Sequence, residues 1–195
     1  MSATAFLDPV LQSQATFRAV LKAMSRPGVL VATGAGLAPP APLQQAAAAA
    51  LLTLADFETP LWLPPRLQGG EADRWLRFHT GAPAAAKPRN AAFAFLDLTE
   101  DELRLEDFAL GVAEYPDRST TLVVACTSIS TEGPLELSGP GVGGVQRFGF
   151  APSPDDFVAQ WRANVARFPL GVDLILTHAM SLAALPRTVR IDGGA

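Results

Sequence analysis

The chain has 195 residues, of which 49% are hydrophobic and 17% charged, a composition typical of one globular domain over residues 1–195 and not of a disordered chain. Its net charge is −4 and its basic residues form no block, which argues against a nucleic-acid ligand. Cys126 is the sole cysteine, so the chain can form no internal disulfide and cannot by itself hold an iron–sulfur cluster.

The N-terminal segment carries no basic residue before Arg18 and therefore does not resemble a secretory signal. The longest uncharged stretch, residues 29–55, is interrupted by Pro39, Pro40 and Pro42, so we do not expect it to cross a membrane as a helix. These features predict a cytoplasmic protein without a membrane segment.

Hydrophobic periodicity and turn signals predict helices and strands in alternation. A helix is predicted from Asp8-Pro9 to Pro27-Gly28, with an apolar face formed by Val10, Phe17, Val20, Leu21 and Met24. Further helices are predicted for 43–55, 71–79, 99–110 and from 153, the last with Phe157, Trp161, Val165 and Phe168 on one side. The helix over 99–110 rests on a capping box in which Glu102 follows Thr99 by three residues. Strands are predicted for 29–32, 59–63, 91–96, 121–127, 172–177 and 187–191.

This alternation predicts an α/β fold with three α/β/α layers and a mixed, largely parallel sheet. Residues 172–177 are aliphatic or β-branched except for Asp173, which favours a strand covered on both faces and close to the middle of the sheet. Residues 128–150 are predicted to depart from the pattern as an antiparallel excursion around a glycine turn.

The glycine-rich segment 139–144 matches the letters of G-x-G-x-x-G. The dinucleotide fingerprint requires a helix to follow, whereas 145–150 is predicted to be extended, so a turn between two strands is the favoured interpretation. No glycine loop is followed by G-K-[ST], which excludes a P-loop.

Metal and nucleophile chemistry find little support in the sequence. His79, His178 and Cys126 show no metal-ligand spacing, so we predict no metal site. Cys126 lies in an apolar run and is expected to be a buried, unreactive core residue. The carboxylates at 100–102 are explained by the first turn of the predicted helix, and no catalytic residue is assigned.

Donors that suit an anionic or phosphorylated ligand occur where predicted elements end. Arg77, His79 and Thr80 lie at the end of helix 71–79, and Arg26 and Arg187 each stand beside a proline. Guanidinium, imidazole and hydroxyl groups form an anion site when they converge. The same side chains can instead cap helix carbonyls and complement the helix dipole, and the sequence leaves both interpretations open.

Five segments, in order along nearly the whole chain, carry a resemblance to a known family. They are FRAVLKAMSRPG (17–28), LLTLADFETPLWL (51–63), LRFHTGAP (76–83), SGPGV (138–142), and FPLGVDLILT with ALPRT (168–188). Together they resemble the H subunit of bacterial carbon–phosphorus lyase (PhnH). The resemblance implies a fold similar to the large domain of pyridoxal-phosphate-dependent transferases, but without that cofactor or any other. Neither lysine, Lys22 nor Lys87, follows a strand at a sheet edge as a Schiff-base lysine would.

The resemblance also implies a role in phosphonate metabolism, in a complex with the G, I and J subunits. That assembly forms ribose 1-alkylphosphonate 5-triphosphate from ATP and an alkylphosphonate, and a separate radical-SAM subunit breaks the carbon–phosphorus bond. The chain would help to assemble the complex or shape a shared ATP or phosphonate site, and would pair with itself when isolated. Two alternatives stay open: a self-sufficient enzyme or binding protein for a phosphorylated metabolite, built on Arg26, Arg77, His79 and Arg187, and a relic pyridoxal protein.

Overall fold

A computed structural model of the chain describes residues 3–193; Met1 and Ser2, part of the segment considered as a secretory signal, lie outside the described residues. Within that range the helices are α1 (Pro9–Ser25), α2 (Gln45–Leu54), α3 (Glu71–Thr80) and α4 (Phe157–Val165). The strands are β1 (Val31–Ala32), β2 (Leu61–Trp62), β3 (Phe93–Asp97), β4 (Leu110–Val112), β5 (Tyr115–Ser119), β6 (Thr121–Ala125), β7 (Ser128–Ser138), β8 (Gln146–Ala151), β9 (Asp173–His178), β10 (Ser181–Leu185) and β11 (Arg190–Gly193). Short 3₁₀ turns lie at Pro65–Leu67, Pro88–Asn90 and Leu105–Asp107.

A six-stranded sheet in the order β1-β10-β9-β6-β3-β2 forms the centre of the fold. Strands β2, β3, β6 and β9 run parallel to one another, and β10 and β1 continue the sheet antiparallel. The predicted mixed, largely parallel sheet is confirmed, and so is the central place of 172–177, because β9 lies between β6 and β10. All of β9 except its last residue is buried, as expected for a strand covered on both faces.

Two apolar clusters cover the opposite faces of this sheet. Along β3, Phe95 packs on the face covered by α1, α2 and α3, whereas Ala94 and Leu96 point to the other face. That second face is covered by α4 together with a three-stranded antiparallel sheet, β11-β7-β8. The predicted α/β/α layering is therefore accurate on one side only, since the other outer layer is part helix and part sheet.

Helix α2 is buried on nearly all sides, as its alanine-rich sequence predicts. Residues 46–51 have no exposed surface, and their small side chains let α1 and the sheet approach closely. Its first turn has no side-chain cap; instead, the Ala46 N–H donates to the Ala179 carbonyl at 2.9 Å. In the part of the chain that the structure describes, no helix combines the length and the apolar character needed to cross a membrane.

The prediction of a helix over 99–110 is wrong. Asp97 Oδ1 accepts the Thr99 N–H at 3.1 Å and the Thr99 hydroxyl at 2.9 Å, so the hydroxyl is bound to a residue two positions earlier and caps no helix. Glu102 faces Arg104 at 3.4 Å instead of returning to Thr99, so the capping box does not close. The segment instead forms turns and a strand that bury Leu98, Leu103, Leu105 and Phe108.

The predicted apolar face of α1 is only partly directed to the core. The helix begins as predicted, with the Asp8 carboxylate accepting the Leu11 N–H at 3.0 Å. Val10, Phe17 and Leu21, however, are 77%, 46% and 51% exposed and form an outward apolar stripe. The residues that the helix buries are Thr16, Ala19, Val20 and Ala23.

Several strands depart from the sequence-based prediction. The β7–β8 pair around 139–144 is antiparallel as predicted, but β7 begins well before the predicted extended segment. Strands β4, β5 and β10 were not predicted, and the last strand begins at Arg190 and not at 187. Phe168 lies beyond the end of α4 and is exposed, because the helix stops before it.

Candidate functional site

The glycine turn joins three segments that are distant in sequence. A Cβ on Gly141 would lie 2.3 Å from the Ser25 carbonyl oxygen, and one on Gly139 would lie 3.2 Å from the Thr188 carbonyl oxygen. Both glycines have positive φ angles, +80° for Gly141 and +114° for Gly139. The turn interpretation is confirmed, since strand β8 and no helix follows it. These glycines allow backbones to pack closely and build no dinucleotide fingerprint.

Arg187 lies at the amino-terminal end of β9, where its side chain is bound by protein groups. Its Nε donates to Asp173 Oδ1 at 3.1 Å, and its Nη2 contacts Asp173 Oδ2. Its Nη2 also contacts the Ser119 hydroxyl at 2.5 Å, and its Nη1 donates to the Pro116 carbonyl at 3.0 Å. All three guanidinium nitrogens thus have partners within the protein. Through these contacts, Arg187, which follows β10, is linked to β5 and to the start of β9.

Arg77 and Thr80 also make internal contacts at the end of α3. Arg77 Nε lies 2.5 Å from Asp73 Oδ1, and its Nη1 donates to the Ala82 carbonyl at 3.0 Å. The Thr80 hydroxyl donates to the Leu76 carbonyl at 2.8 Å. These contacts match the capping interpretation of the segment, one of the two that the sequence left open.

His79 and Arg26 are exposed and occupy different places. The His79 ring packs edge-on against Trp75 and Phe78, with centroids 4.9 Å apart in each case. Arg26 is the C-cap of α1, beside the glycine turn. Among the described residues, Arg77 and Arg187 share no hydrogen-bond partner, and the strands beside them, β2 and β9, are separated by β3 and β6. Anion binding by Arg26, Arg77, His79, Thr80 and Arg187 stays a prediction.

The carboxyl ends of the parallel strands are where open α/β sheets usually bind ligands. After β2, Arg66 Nη2 lies 2.6 Å from Asp101 Oδ2 and 4.0 Å from the Asp97 carboxylate at the end of β3. The hydrogen bonds that the Arg66 guanidinium donates to the Asp101 carboxylate raise the pKa of Arg66 above its ordinary value. This half of the edge therefore carries charges that are already paired.

The other half of this edge, at the ends of β6 and β9, is joined by Gln44. Its amide nitrogen donates to the Cys126 carbonyl at 3.0 Å, and its amide oxygen accepts the Ala179 N–H at 2.9 Å. His178 Nδ1 lies 3.2 Å from the same Cys126 carbonyl oxygen, which can only accept a hydrogen bond. Burial raises the pKa of the Cys126 thiol to about 12, which makes it a poor nucleophile, as predicted.

Comparisons with known proteins identify the family. The family of the bacterial phosphonate metabolism protein (PhnH) matches residues 4–192. The chain belongs to the PhnH family. It is 42% identical, over 96% of its own length and 94% of the relative's, to a Rhizobium meliloti (strain 1021) protein named alpha-D-ribose 1-methylphosphonate 5-triphosphate synthase subunit PhnH. It is also 31% identical, over 93% of its length and 86% of the relative's, to a Stutzerimonas stutzeri protein named putative C-P lyase subunit protein HtxG.

The structure explains why separate PhnH-like segments were visible in the sequence. Two of them, around 25–28 and 186–188, each lie against a third, the glycine turn within 138–142, so the three form one packed junction. Glycines are needed in this junction because a side chain would clash with the neighbouring backbone. The presence of these segments therefore does not by itself mark a ligand site. In residues 3–193, no group of three or more His, Cys, Asp or Glu side chains is arranged to hold a metal ion.

Other polar groups were missed by the sequence analysis. Asp97, which directly follows the predicted strand 91–96, carried a usable signal, and so did Gln44 at the start of a buried helix. Arg89, Arg118 and Arg167 line one groove but come from three separate elements. No local pattern connects them, because only the tertiary fold brings them together.

Proposed function

We propose that this chain is a subunit of the carbon–phosphorus lyase core complex. In this complex the chain acts with G, I and J subunits to form ribose 1-alkylphosphonate 5-triphosphate from ATP and an alkylphosphonate. The observation that carries the proposal is membership of the PhnH family, together with 42% identity over almost the whole chain to a relative named as a subunit of such a synthase. The second relative is also named as a subunit.

The outward stripe of α1 supports a role in assembly. Val10, Phe17 and Leu21 recur at helical spacing on a largely solvent-exposed face, and Leu7 and Leu11 beside them are also exposed. Exposed apolar patches on soluble proteins often mark binding surfaces. The occupant we assign to this stripe is another subunit of the complex, and a second copy of the chain takes its place when the chain is isolated.

Catalysis by the chain alone has weak geometric support. Arg77 and Arg187 use their guanidinium groups in internal pairs, and the high pKa of Cys126 keeps its thiol protonated. The proposal therefore gives the chain an assembly or site-shaping role. We also propose that the fold is similar to the large domain of pyridoxal-phosphate-dependent transferases. The mixed, largely parallel sheet supports this similarity.

Co-purification tests the proposal directly. The tagged chain is expressed with the G, I and J candidates of its genome, and the purified material is weighed by native mass spectrometry. A stoichiometric complex is expected, together with turnover of ATP and methylphosphonate by the complex and none by the chain alone. A chain that stays monomeric or homodimeric while every partner is present and folded would refute the proposal, as would full turnover by the chain alone.

A further inference from the structure

A groove of about 650 Å³ lies between the β4–β5 hairpin and the end of α4. Its floor is formed by residues 108–112, which include the buried Phe108 ring. Three arginines, Arg89, Arg118 and Arg167, line it, and each is exposed to solvent. The groove has the size of a small-molecule site and combines an apolar floor with convergent cations.

Arginines outnumber acidic residues in the lining of the groove by three to one, although the chain as a whole carries a net charge of −4. Glu106 is the one acidic residue that lines it, and its carboxylate is engaged by Arg104 Nη2 at 2.9 Å. Arg89, Arg118 and Arg167 form no ion pair with any carboxylate in residues 3–193, whereas Arg66, Arg77, Arg104, Arg162 and Arg187 all do. Three guanidinium charges therefore remain uncompensated around one concave surface.

Two of these arginines are held in place by neighbours that leave most of their donors free. Arg89 Nη2 donates to the Glu106 backbone carbonyl at 3.0 Å, so its Nε and Nη1 have no protein partner among the described residues. The Arg118 guanidinium carbon lies 4.1 Å above the centre of the Tyr115 ring, a cation–π contact that orients the group without using its N–H donors. Such preorganisation lowers the entropy cost of binding an anion.

We propose that this groove binds an oligophosphate chain, as found in a nucleoside or ribose triphosphate. Guanidinium groups bind phosphate oxygens in pairs of hydrogen bonds, and three of them on one rim match several linked phosphates better than a single one. The apolar floor offers contact area for the group that carries the phosphates. Binding of an oligophosphate by the isolated chain is a claim beyond the proposed function. Identifying that oligophosphate with the triphosphate in the relative's name rests on the proposed function.

Isothermal titration calorimetry on the full chain tests this assignment, with tripolyphosphate as the probe and inorganic phosphate as the short anion. We expect saturable binding of tripolyphosphate, at least tenfold tighter than that of phosphate. Arg118→Gln and Arg167→Gln should each weaken it about tenfold. Arg190→Gln is the matched control, because Arg190 is an exposed arginine outside the groove, and its loss should leave the affinity within twofold. Thermal melting confirms that each variant is folded.

Three results would overturn the assignment. The first is the lack of saturable binding at millimolar tripolyphosphate. The second is an equal loss in Arg190→Gln and Arg167→Gln, which would show diffuse attraction to the whole surface. The third is tight binding of an oligoglutamate peptide but not of tripolyphosphate, which would make the groove a protein-binding surface. The titration needs no partner subunit, so its outcome and that of the co-purification are independent.

Discussion

Arg187 binds Asp173 through its backbone as well as its side chain. The Arg187 N–H and Nε lie 2.8 and 3.1 Å from the same carboxylate oxygen, and the two side chains are 14% and 13% exposed. Asp173 starts the central strand β9, so the pair fixes the chain after β10 to the middle of the sheet. A partly buried pair of this kind leaves a costly unpaired charge when one partner is removed.

The variant Arg187→Gln is expected to lower the free energy of unfolding by about 3 kcal/mol, because it leaves Asp173 unpaired. Urea denaturation followed by circular dichroism measures this loss. The control is Arg162→Gln, whose partner Asp192 lies 3.0 Å away at an exposed site and should cost less than about 1 kcal/mol. Equal losses in the two variants would show that the Arg187 pair does not stabilise the fold.

The glycine turn gives a second prediction. Gly141→Ala is expected to destabilise the chain by about 2 kcal/mol or more, because the new Cβ would lie 2.3 Å from the Ser25 carbonyl oxygen at a φ of +80°. Gly143→Ala is the control, since no atom lies within 4 Å of its Cβ position. A thermal melt of both variants decides the matter: matched melting temperatures would contradict the close packing.

The exposed stripe on α1 predicts a variant that folds but assembles poorly. Phe17→Ser combined with Leu21→Ser should change the free energy of unfolding by less than about 1 kcal/mol, because both side chains are about half exposed. Recovery of the complex with G, I and J candidates should fall at least tenfold. Val145→Ser, which is 67% exposed on the glycine turn, should leave recovery unchanged. Wild-type recovery of the double variant would place the interface elsewhere.

Cys126 predicts a dependence of stability on alkaline pH. Burial raises the pKa of its thiol from 9.0 to about 12, so the folded state keeps a proton that the unfolded chain loses. The stability present below about pH 9 should therefore fall as the pH rises towards 12. Cys126→Ala, although less stable overall, should lose less stability over this range, which urea titrations at each pH would show.

The same burial predicts slow thiol chemistry. A disulfide reagent at pH 8 should modify Cys126 only slowly in the folded chain. It should react rapidly in about 8 M urea, which is enough to unfold most small domains. Absorbance of the released thiolate follows the reaction. Fast, complete modification of the folded chain would show that the thiol is accessible and that its predicted inertness is wrong.

Local sequence signals were accurate where a segment depends mainly on its own residues. The Asp8-Pro9 start of α1, the buried alanine-rich α2 and the largely aliphatic β9 follow from capping chemistry, small side chains and the lack of a continuous polar face. The glycine turn was likewise readable, because an extended segment followed it in place of a helix.

The segment 99–110 shows where local signals failed. Thr99 and Glu102 have the types and spacing of a capping box, yet Asp97 at the end of β3 binds the Thr99 hydroxyl and removes the cap. The prediction for the apolar face of α1 failed for a different reason. The periodicity located an apolar stripe, but packing against α2 and β10 determines which side of the helix is buried. In both cases the structure is determined by residues outside the segment: Asp97 of the preceding strand for 99–110, and α2 and β10 for α1.

Residue types within short segments were enough to predict the family, the largely parallel sheet with 172–177 at its centre and the inert environment of Cys126. Only the folded arrangement shows that Arg77 and Arg187 face internal carboxylates, and that a shared groove is lined by Arg89, Arg118 and Arg167. The physical reason is that charge pairing depends on distances across the fold. Those distances are set by strand order and layer packing, which no local pattern encodes.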